Sequence, residues 1–572
     1  MSHHELLVDP VPALAQVPPY VLGRPESGID IVLDFNESLA SPASITDQTL
    51  PWPVNRYPDH AELERALARR LGVEADHVLA TNGADDALER TVRSVCCAGR
   101  RTVVTTPSYG MIRRFAVLAG AEVEEVAWWR GDLPEQAVSA AAEGASLLAL
   151  VSPNNPTGSV VSREVFTRIV TRLPESLILL DQAYLDFTAP EYDLTSIALD
   201  HPNVVIVRTL SKAWGAAGLR VGYAVADPRV IDWLRRVGLP FPVSAPSASV
   251  ALDAVVNGGP DQETIERTRR ERETLTGLLE ALGAEALPSQ GSFILARFDD
   301  PGFVWSALAA LGIAIRSFGG RSELDGWLRF TLPGDAAVFD RLCDALTTIL
   351  KPEALLFDLD GVLADVSRSF REAIRKTAAN FGVEVTPEQI TRAKAEGNAN
   401  NDWRLTHRLI QADGAEATLD EVTTAFEALY QGTDAEPGLR STETLLVDRS
   451  TLERLARARP LGVVTGRPRI DAERFLSEHN IADLFTAVVT MEDAAAKPDP
   501  APVRLALQHL GVRHAWLVGD TPDDIYAARA AGVLPIGVPA PGDDPASAAE
   551  TLRHSGAGAI LEKTESILEV LS

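Results

Sequence analysis

The sequence predicts an α/β fold built twice, with two doubly wound parallel sheets that follow each other along a chain of 572 residues. Short runs of Val, Leu and Ile alternate with segments whose apolar residues recur at helical spacing, a pattern typical of parallel strands covered by helices on both faces. The pattern starts again in the stretch KPEALLFDLDGVLAD, which begins at Lys351. Because apolar residues make up 46% of the chain, both halves can bury a sizeable core.

The first half contains the strand-like runs TVVTTP, SLLALVSP, LILLDQ and NVVIVRTLS, separated by helical segments. A long charged helix is predicted over residues 262–282, and a smaller α/β region follows it. We therefore predict one domain over residues 1–350, whose small subdomain comprises approximately residues 1–50 and 260–350.

The second half contains the runs ALLFDLDG, PLGVVTG, TAVVTMED, HAWLVGD and LPIGVP, each ending in a polar or glycine-containing turn. The stretch between its first two strands is far longer than an ordinary strand–helix connection and has helical periodicity. We predict a domain over residues 353–572 with a helical cap inserted at approximately residues 366–455.

Charge and cysteine usage narrow the class of protein. The formal net charge of −27 disfavours binding to nucleic acid or to anionic membranes. The three cysteines, Cys96, Cys97 and Cys343, form no CxxC pair, which indicates a reducing compartment with neither a disulfide framework nor a zinc site. No signal peptide and no apolar run of the ~20 residues needed to span a bilayer is found, so a cytoplasmic protein is expected.

Three segments of the first half bring polar residues to the ends of predicted strands. They are SPNNPTG at Ser152–Gly158, LLDQAY at Leu179–Tyr184 and TLSKAWGAAGLRVGY at Thr209–Tyr223. Open α/β sheets bind ligands at this carboxyl edge. A lysine in a Ser-Lys pair, followed by an arginine, suits an aldehyde cofactor that carries a phosphate, and the buried Asp181 suits a protonated ring nitrogen.

These segments resemble the fold-type I, class I and II, pyridoxal-phosphate aminotransferases, and within them the histidinol-phosphate aminotransferase group. The resemblance covers roughly residues 10–350. It includes the motifs VPPYVLG, LDFNES, NRYPD, TNGADDAL, TPSYGM and WLRFTL, which occur in the family's order. It implies pyridoxal 5′-phosphate as the cofactor.

The resemblance also implies roles for the residues at the cofactor ring. Lys212 is expected to form the Schiff base with the cofactor and then to move the proton. Asp181 is expected to hold the proton of the pyridine nitrogen. Asn155 and Tyr184 are expected to bind the phenolic oxygen, and Tyr109 to stack on the ring.

The cofactor phosphate is expected to be bound by a second group of residues. Ser211, Arg220 and the backbone amides of Ala84 and Asp85 belong to it, since those amides open a predicted helix and helix N-termini bind anions. Tyr57 in such families reaches the phosphate of a neighbouring subunit, which implies a homodimer.

Tyr20, Arg316 and Arg329 match the family's substrate contacts, and arginine suits a carboxylate or a phosphate. Gln182 and Ser292 depart from the family pattern, where an acidic residue and an asparagine are usual. These departures leave the identity of the amino acceptor open.

The second half opens with Asp358 and Asp360, which lie two residues apart at a strand end and should project to the same side. One carboxylate can attack phosphorus while the other donates a proton to the leaving oxygen.

Further candidates follow later strands of the second half. Thr465 and the Gly466 amide, together with Lys497, can bind a phosphoryl group. Asp520 and Asp524 follow a third strand, and carboxylates that converge without His or Cys favour Mg²⁺. The ion would offset the repulsion between an anionic nucleophile and an anionic ester.

This half resembles the haloacid-dehalogenase superfamily of phosphatases over about residues 353–572, with all four motifs in order. The resemblance implies that Asp358 is the nucleophile and that Asp360 is the general acid and base. Asp523 is expected to have no role in the site and to be a solvated acid at a helix start. The implied metal ligands are Asp358, Asp360 through its backbone carbonyl, Asp520 and Asp524.

The two halves together predict a bifunctional enzyme that transaminates a phosphorylated ketone and then hydrolyses the phosphate monoester. The best match is imidazole-acetol phosphate with glutamate, giving histidinol phosphate and then histidinol. Three alternatives stay open: another phosphorylated keto compound or sugar, a phosphothreonine decarboxylase with a phosphatase, and an aminotransferase with a non-catalytic regulatory module.

Overall fold

A computed structural model describes residues 28–34, 36, 57–395, 401–433 and 436–571. The predicted substrate residue Tyr20 lies outside the described residues, as does most of the predicted small-subdomain segment at 1–50. The described chain forms two compact units. The first comprises residues 32–301 and 315–340 and the second comprises residues 28–31, 302–314 and 341–571, apart from the gaps above.

Strands and helices alternate along residues 28–350. The strands are β1 (Ile31–Leu33), β2 (Val78–Asn82), β3 (Arg101–Thr106), β4 (Glu122–Ala127), β5 (Leu147–Val151), β6 (Leu177–Asp181), β7 (Val204–Thr209), β8 (Val221–Val225), β9 (Glu285–Ala286), β10 (Phe293–Arg297), β11 (Ile313–Ile315) and β12 (Trp327–Thr331). The helices are α1 (Ala61–Leu71), α2 (Gly83–Val95), α3 (Gly110–Leu118), α4 (Glu135–Ala142), α5 (Arg163–Arg172), α6 (Thr195–Leu199), α7 (Pro228–Val237), α8 (Ala245–Asn257), α9 (Gln262–Ala281), α10 (Pro301–Ala310) and α11 (Ala336–Leu350).

A seven-stranded sheet forms the centre of the first unit, in the order β2-β8-β7-β6-β5-β3-β4. Strands β7, β6, β5, β3 and β4 are parallel, and β8 is antiparallel to both of its neighbours. The carboxyl ends of β2, β3, β5, β6 and β7 therefore meet at one edge of the sheet. The same unit contains an antiparallel sheet of β12, β10 and β9.

Both faces of the large sheet are buried, which explains the continuous apolar runs in its strands. In β5, Leu148 and Leu150 pack in the core on one face, and Leu147, Ala149 and Val151 pack in the core on the other. The alternation follows from the two-residue period of a strand.

Residues 351–571 continue with a second series of elements. The strands are β13 (Ala354–Phe357), β14 (Ala364–Asp365), β15 (Thr444–Leu445), β16 (Leu461–Val464), β17 (Phe485–Val489), β18 (Ala515–Gly519), β19 (Leu534–Gly537) and β20 (Ala559–Ile560). The helices are α12 (Phe370–Asn380), α13 (Pro387–Ala395), α14 (Asp402–Ala412), α15 (Leu419–Gln431), α16 (Arg449–Ala458), α17 (Arg469–Glu478), α18 (Ala501–Leu510), α19 (Pro522–Ala530), α20 (Pro545–His554) and α21 (Ile567–Val570).

A six-stranded parallel sheet forms the centre of the second unit, in the order β17-β16-β13-β18-β19-β20. The predicted α/β class with two parallel-rich sheets is therefore confirmed. Strand β13 lies between β16 and β18, so the three strand ends that carry the predicted phosphatase residues are neighbours.

The helices α12 to α15 form the insertion between β13 and β16, and α12 packs against α14 and α15. A two-stranded antiparallel ribbon of β14 and β15 closes the base of this insertion. Arg449 at the start of α16 forms an ion pair with Asp483 beside β17, which ties α16 to the sheet-bearing part of the unit. The cap boundaries at approximately 366 and 455, and the domain boundary at 350–353, stay predictions.

No helix among the described residues is both long and apolar enough to cross a membrane.

Candidate active sites

The predicted cofactor residues of the first unit lie along one edge of its large sheet. Asp181 is the last residue of β6, Asn155 follows β5, and Lys212 follows β7. In the sheet, Asp181 lies opposite Val151 of β5 and Val207 of β7. The parallel register thus brings three predicted residues from three separate segments to one place.

Asp181 is a buried carboxylate that the protein alone only partly stabilises. It is 4% exposed, and one of its oxygens accepts a hydrogen bond from the Ala183 amide at 2.9 Å. Burial raises the pKa of Asp181 to about 7, and the nearby Asp85 also raises it, whereas the amide bond and Lys212 lower it. A cation beside this carboxylate would remove the cost of ionising it.

Two tyrosines complete the surroundings of Asp181 and Lys212. The Tyr109 hydroxyl donates to Asp85 at 2.8 Å, and burial together with that carboxylate raises the pKa of Tyr109. The Tyr184 hydroxyl accepts a hydrogen bond from the Asn36 amide at 2.9 Å. The Lys212 ammonium lies 5.7 Å from the centre of the Tyr184 ring.

The start of α2 lies close to Arg220 in the segment before β8. Arg220 adopts a left-handed backbone conformation with φ of 54°, and its Nη1 lies 3.5 Å from Ser211 Oγ. A Cβ on Gly83 would lie 2.6 Å from Arg220 Nη2, and a Cβ on Gly222 would lie 2.6 Å from the Ala84 nitrogen. Close approach of the backbone therefore brings the guanidinium to the first turn of a 13-residue helix, where free amides favour an anion.

These residues fit pyridoxal 5′-phosphate. The buried carboxylate of Asp181, whose pKa is raised, would gain a cationic partner in a protonated pyridine nitrogen. The first turn of α2, Ser211 and Arg220 would hold a phosphate, and Lys212 supplies the amine that binds an aldehyde.

The two predicted substrate arginines are neighbours in the first unit. Arg316 and Arg329 exchange backbone hydrogen bonds of 3.1 and 2.9 Å, so their side chains leave the same face of an antiparallel pair. The Arg329 guanidinium donates to Asn155 Oδ1 at 2.6 Å and to the Asp34 carbonyl at 2.7 Å. Arg329, which was predicted to bind substrate, thus contacts Asn155, which was predicted to bind the cofactor ring.

Tyr57 lies on the surface of the chain. It is 81% exposed and stacks on Phe241 with ring centroids 4.5 Å apart. A contact with the cofactor phosphate of a neighbouring subunit, as predicted for Tyr57, concerns a second chain and stays a prediction.

The second unit brings its predicted residues together at the ends of β13, β16 and β18. Asp358 follows β13, Thr465 and Gly466 follow β16, and Asp520 follows β18. Carboxylate oxygens of Asp358, Asp520 and Asp524 all lie within 4.8 Å of one another. The central place of β13 in the sheet is the reason for this convergence.

Lys497 lies between two of these carboxylates. Its ammonium donates to Asp358 Oδ1 at 2.8 Å, to the Val464 carbonyl at 3.1 Å, and to Asp524 Oδ1. Burial by itself lowers the pKa of Lys497, but the two carboxylates raise it above its ordinary value, so the side chain stays charged. Burial raises the pKa of Asp358, against the effect of Lys497.

The carboxylates fit a hard divalent cation such as Mg²⁺. Three aspartates converge, one ammonium neutralises part of their charge, and oxygen is the ligand that such an ion prefers. Asp524 is also held by the chain, since its Oδ2 accepts from the Thr521 amide at 3.1 Å and from the Thr521 hydroxyl at 2.6 Å. Asp358 and Asp520 would therefore bind an ion directly, with Asp524 as the third carboxylate of the site.

Asp360 is bound by an arginine that the sequence analysis did not assign to the site. The Arg467 Nε donates to Asp360 Oδ1 at 2.7 Å, and its Nη1 donates to Glu443 Oε2 at 2.9 Å. Arg467 is 2% exposed. Burial by itself lowers the pKa of Arg467, but the carboxylates raise it above its ordinary value.

Asp523 differs from the prediction. The sequence analysis expected a solvated acid at a helix start, but Asp523 is 3% exposed. The reason is that α19 packs on β18 and β19 with its first turn turned inward, so that Pro522, Asp523 and Asp524 are all buried.

Among the described residues near the sites, Asn36, Glu443 and Arg467 have buried side chains and had no predicted role. Asn36 lies in the motif LDFNES, and Arg467 directly follows the motif PLGVVTG. A polar residue in or beside a motif was therefore the signal that could have identified both as site residues. Glu443 follows no strand of either large sheet, and nothing in the sequence around it indicated a buried carboxylate.

The fold and the two sites define the class of the protein. Residues 52–346 match the family model for class I and II aminotransferases, and residues 355–538 match the model for haloacid dehalogenase-like hydrolases. The chain belongs to the class I and II aminotransferase family and carries a haloacid dehalogenase-like hydrolase domain after it. It is thus an enzyme with a transferase part and a hydrolase part.

Individual relatives point to the histidinol-phosphate aminotransferase group. The histidinol-phosphate aminotransferase of Aeromonas hydrophila is 33% identical over 310 residues, which are 52% of this chain and 86% of that protein. A crystal structure of histidinol-phosphate aminotransferase from Sinorhizobium meliloti in complex with pyridoxal-5′-phosphate superposes with a TM-score of 0.52 at 25% identity, covering 59% of this chain and 96% of that one.

Two further comparisons support narrower conclusions, because one covers only half of the relative and the other shows only the fold. An imidazoleglycerol-phosphate dehydratase of Phytophthora nicotianae is 48% identical over 225 residues, and the chain spans only about half the length of that relative: 36% of this chain and 50% of that protein are covered. The L-threonine-O-3-phosphate decarboxylase of Porphyromonas gingivalis superposes with a TM-score of 0.50 at 23% identity, which shows a shared fold alone.

Proposed function

We propose that the protein is a bifunctional enzyme that converts imidazole-acetol phosphate and glutamate into histidinol phosphate and then hydrolyses this product to histidinol. The observation that carries the proposal is the presence of two complete sets of reactive groups on one chain, an amine beside a buried carboxylate and an aspartate pair beside a buried ammonium. Similarity to histidinol-phosphate aminotransferases supports the choice of substrate.

In the first unit, pyridoxal 5′-phosphate would supply the electron sink that makes the substrate Cα–H bond acidic. Lys212 would hold the aldehyde group and, as a free amine, would move the proton at the substrate Cα. Asp181 would hold the proton of the ring nitrogen, because a cation offsets the cost of its buried carboxylate. Asn155 and Tyr184 would orient the ring through its phenolic oxygen.

Arg316 and Arg329 suit the anionic ends of the two substrates. The amino donor carries carboxylates and the proposed acceptor carries a phosphate, and a guanidinium binds both kinds of group through paired hydrogen bonds. The hydrogen bonds of Arg329 to Asn155 and to the Asp34 carbonyl fix its guanidinium beside the ring position. We propose that the same arginine pair binds the donor and the acceptor in turn.

In the second unit, Asp358 is proposed to attack the phosphorus of the monoester. An aspartyl phosphate forms as the ester P–O bond breaks, and Asp360 gives its proton to the leaving alkoxide. Water then attacks the phosphorus, Asp360 takes up a proton, and inorganic phosphate leaves as Asp358 is restored. Mg²⁺ bound by Asp358, Asp520 and Asp524 would lower the repulsion between the attacking carboxylate and the ester.

Thr465, Gly466 and Lys497 are proposed to bind the transferred phosphoryl group. Thr465 follows the strand next to Asp358, and Lys497 already contacts the attacking oxygen at 2.8 Å. A charged donor at this position stabilises the negative charge on the phosphoryl oxygens as the bonds change.

The substrate proposal is tested by incubating the full-length protein with pyridoxal 5′-phosphate, Mg²⁺, glutamate and imidazole-acetol phosphate, followed by mass spectrometry. Histidinol is the expected product, with histidinol phosphate as an intermediate. Conversion of phosphothreonine or of a different phosphorylated ketone, with none of imidazole-acetol phosphate, would rule out the proposed substrate and retain the enzyme class.

We further propose that the enzyme is a cytoplasmic homodimer formed through the first unit. The exposed apolar side chains near Tyr57 support a dimer, since Phe241, which stacks on Tyr57, is 47% exposed and Leu239, two residues before it in the chain, is 73% exposed. The described cysteines are all free, as expected in a reducing compartment. Light scattering should give twice the chain mass of 61.4 kDa, and replacement of Leu239 by Asp should shift the protein towards the monomer.

A further inference from the structure

Arg467 joins the predicted acid of the phosphatase site to the base of the cap. It follows β16, on the sheet, and its guanidinium reaches Asp360 Oδ1 through Nε at 2.7 Å and through Nη2 at 2.5 Å. Its third nitrogen, Nη1, contacts Glu443 at 2.9 Å and the Tyr430 hydroxyl at 3.3 Å. Glu443 directly precedes β15, and Tyr430 lies on α15 of the cap.

The partners of Arg467 are themselves hydrogen-bonded where the chain enters and leaves the cap. Glu443 Oε1 accepts from the Ser369 hydroxyl at 2.7 Å and from the Tyr430 hydroxyl at 3.1 Å. Ser369 precedes α12, the first cap helix, and Glu443 stands where the chain returns from the cap. The Arg467 guanidinium therefore contacts Asp360 after β13, Glu443 where the chain leaves the cap, and Tyr430 on cap helix α15. Through Glu443 it is also linked to Ser369, where the chain enters the cap.

The guanidinium is also packed between aromatic rings. Its carbon lies 5.0 Å from the centre of the Phe370 ring and 5.4 Å from that of Phe475. Phe370 begins the cap and packs against Tyr430, with ring centroids 4.4 Å apart and the ring planes tilted by 34°. With a side chain 1% exposed, Arg467 occupies a single defined position, so the carboxylate that it binds is defined as well.

We propose that Arg467 is a positioning residue for Asp360, which it orients towards the leaving oxygen and couples to the cap through Glu443. The inference rests on the proposed phosphatase function. The guanidinium of Arg467 binds Asp360 and Glu443. It acts by holding the proton donor at the place where the ester oxygen departs.

The consequence is specific to the leaving group. An alkoxide needs a proton as it leaves, whereas p-nitrophenolate leaves without one. Loss of a correctly placed acid therefore lowers the hydrolysis of alkyl phosphates and spares that of p-nitrophenyl phosphate. A general loss of folding or of phosphate binding lowers both.

The test compares kcat/KM of the full-length protein for 2-aminoethyl phosphate and for p-nitrophenyl phosphate at saturating Mg²⁺. We expect Arg467→Gln to lower the first by about 100-fold, within the range of general acid catalysis, and the second by no more than about threefold. Asp360→Asn should show the same selectivity. Arg474→Gln is the matched control, since Arg474 lies in the same unit and binds Gln431 and Asp471 rather than Asp360.

A second variant keeps the test valid if Arg467→Gln does not fold. Glu443→Gln retains the shape of the side chain and removes the charge that holds Nη1, so a selective loss of about tenfold is expected. Equal losses on both esters, or no loss on either, in whichever variant folds would overturn the proposal. A wild-type protein that hydrolyses neither these two esters nor histidinol phosphate would instead refute the phosphatase function itself.

The coupling to the cap has a readout that needs no activity. The Leu446 amide donates to the Leu363 carbonyl at 2.8 Å beside the β14–β15 ribbon. Hydrogen exchange of this amide, measured in the metal-free protein, should be faster in Arg467→Gln than in the wild type. An unchanged rate would contradict the link between Arg467 and the cap.

Discussion

At the scale of single residues, two charged groups removed from water differ in how the chain compensates them. Lys497 has two carboxylates within hydrogen-bond distance, so its charge is offset within the protein. Asp181 is 4% exposed and its raised pKa marks a carboxylate that the chain alone does not fully offset. The stability of the protein should therefore depend on solution conditions in a different way through each of the two residues.

Asp181→Asn should stabilise the cofactor-free protein at pH 8 and not at pH 4. The pKa of the folded state, about 7, lies above the ordinary value of 3.8, so between these values the folded state holds a proton that the unfolded state has lost. The free energy of unfolding of the wild type therefore falls as pH rises, by up to about 4 kcal/mol once both states are ionised. Urea denaturation of the cofactor-free protein at pH 4, 6 and 8 measures the effect.

The control for that experiment is Asp132→Asn, because Asp132 is exposed. The difference in stability between Asp181→Asn and wild type should widen from pH 4 to pH 8, while Asp132→Asn follows the wild type. A constant difference across this range would show that Asp181 is ionised throughout.

Lys497→Met should destabilise the metal-free protein strongly, because Asp358 and Asp524 then lose their buried cation. Removing one partner of a buried ion pair costs about 3–5 kcal/mol. Mg²⁺ should raise the melting temperature of this variant more than that of the wild type, since the ion replaces the lost charge. Equal melting temperatures of Lys497→Met and the wild type without metal, measured by calorimetry, would contradict the ion-pair assignment.

The residues of both sites that follow a strand were predictable from sequence. Asp181, Lys212 and Asp358 each come directly after an apolar run, and parallel strands place such residues at one sheet edge. Asn36 could not be found this way, because its contacts to Tyr184 and Thr331 join positions 148 and 295 residues apart. The burial of Asp523 also depended on the inward turn of α19 rather than on local sequence.

At the scale of elements, the contact between β8 and the start of α2 shapes the proposed phosphate site. Gly222 lies opposite Thr81 in the antiparallel pairing of β2 and β8. A Cβ there would lie 2.5 Å from the carbonyl carbon of Gly83. The turn from β2 into α2 can thus be close to Arg220 only because residue 222 has no side chain.

Gly222→Ala should weaken binding of pyridoxal 5′-phosphate by about tenfold or more, because overpacking at this point costs about 1–3 kcal/mol and displaces the first turn of α2. The dissociation constant follows from titration of the cofactor-free protein by absorbance. Gly218→Ala is the matched control, since no atom lies within 4 Å of a Cβ at that position. Equal affinities of the two variants would argue against α2 as the phosphate site.

The sequence predicted the elements better than their associations. The alternation of apolar runs and helices was enough for two parallel-rich sheets, and the length between β13 and β16 was enough for an insertion. The two-residue ribbon strands β14 and β15 were not predictable, because strands of that length leave no periodic pattern. Arg467 and Glu443 meet beside this ribbon, so their role was hidden with it.

At the scale of the whole molecule, the chain combines a transferase part and a hydrolase part whose proposed reactions are consecutive. Transamination exchanges one amine and one ketone for another pair and is close to balanced, whereas hydrolysis of the phosphate ester removes the product. Placing both parts on one chain keeps the two activities in equal amounts. This arrangement accounts for a phosphatase site that begins where the aminotransferase family match ends.

The most direct measurement of the central claim uses two single-site variants, Lys212→Ala and Asp358→Asn, and follows phosphorus by ³¹P NMR with glutamate and imidazole-acetol phosphate. Asp358→Asn should accumulate an amino phosphate monoester, Lys212→Ala should leave the ketone phosphate unchanged, and an equal mixture of the two should release inorganic phosphate. Release of inorganic phosphate by Asp358→Asn at the wild-type rate, or formation of the amino phosphate by Lys212→Ala, would contradict two separate sites that act in sequence.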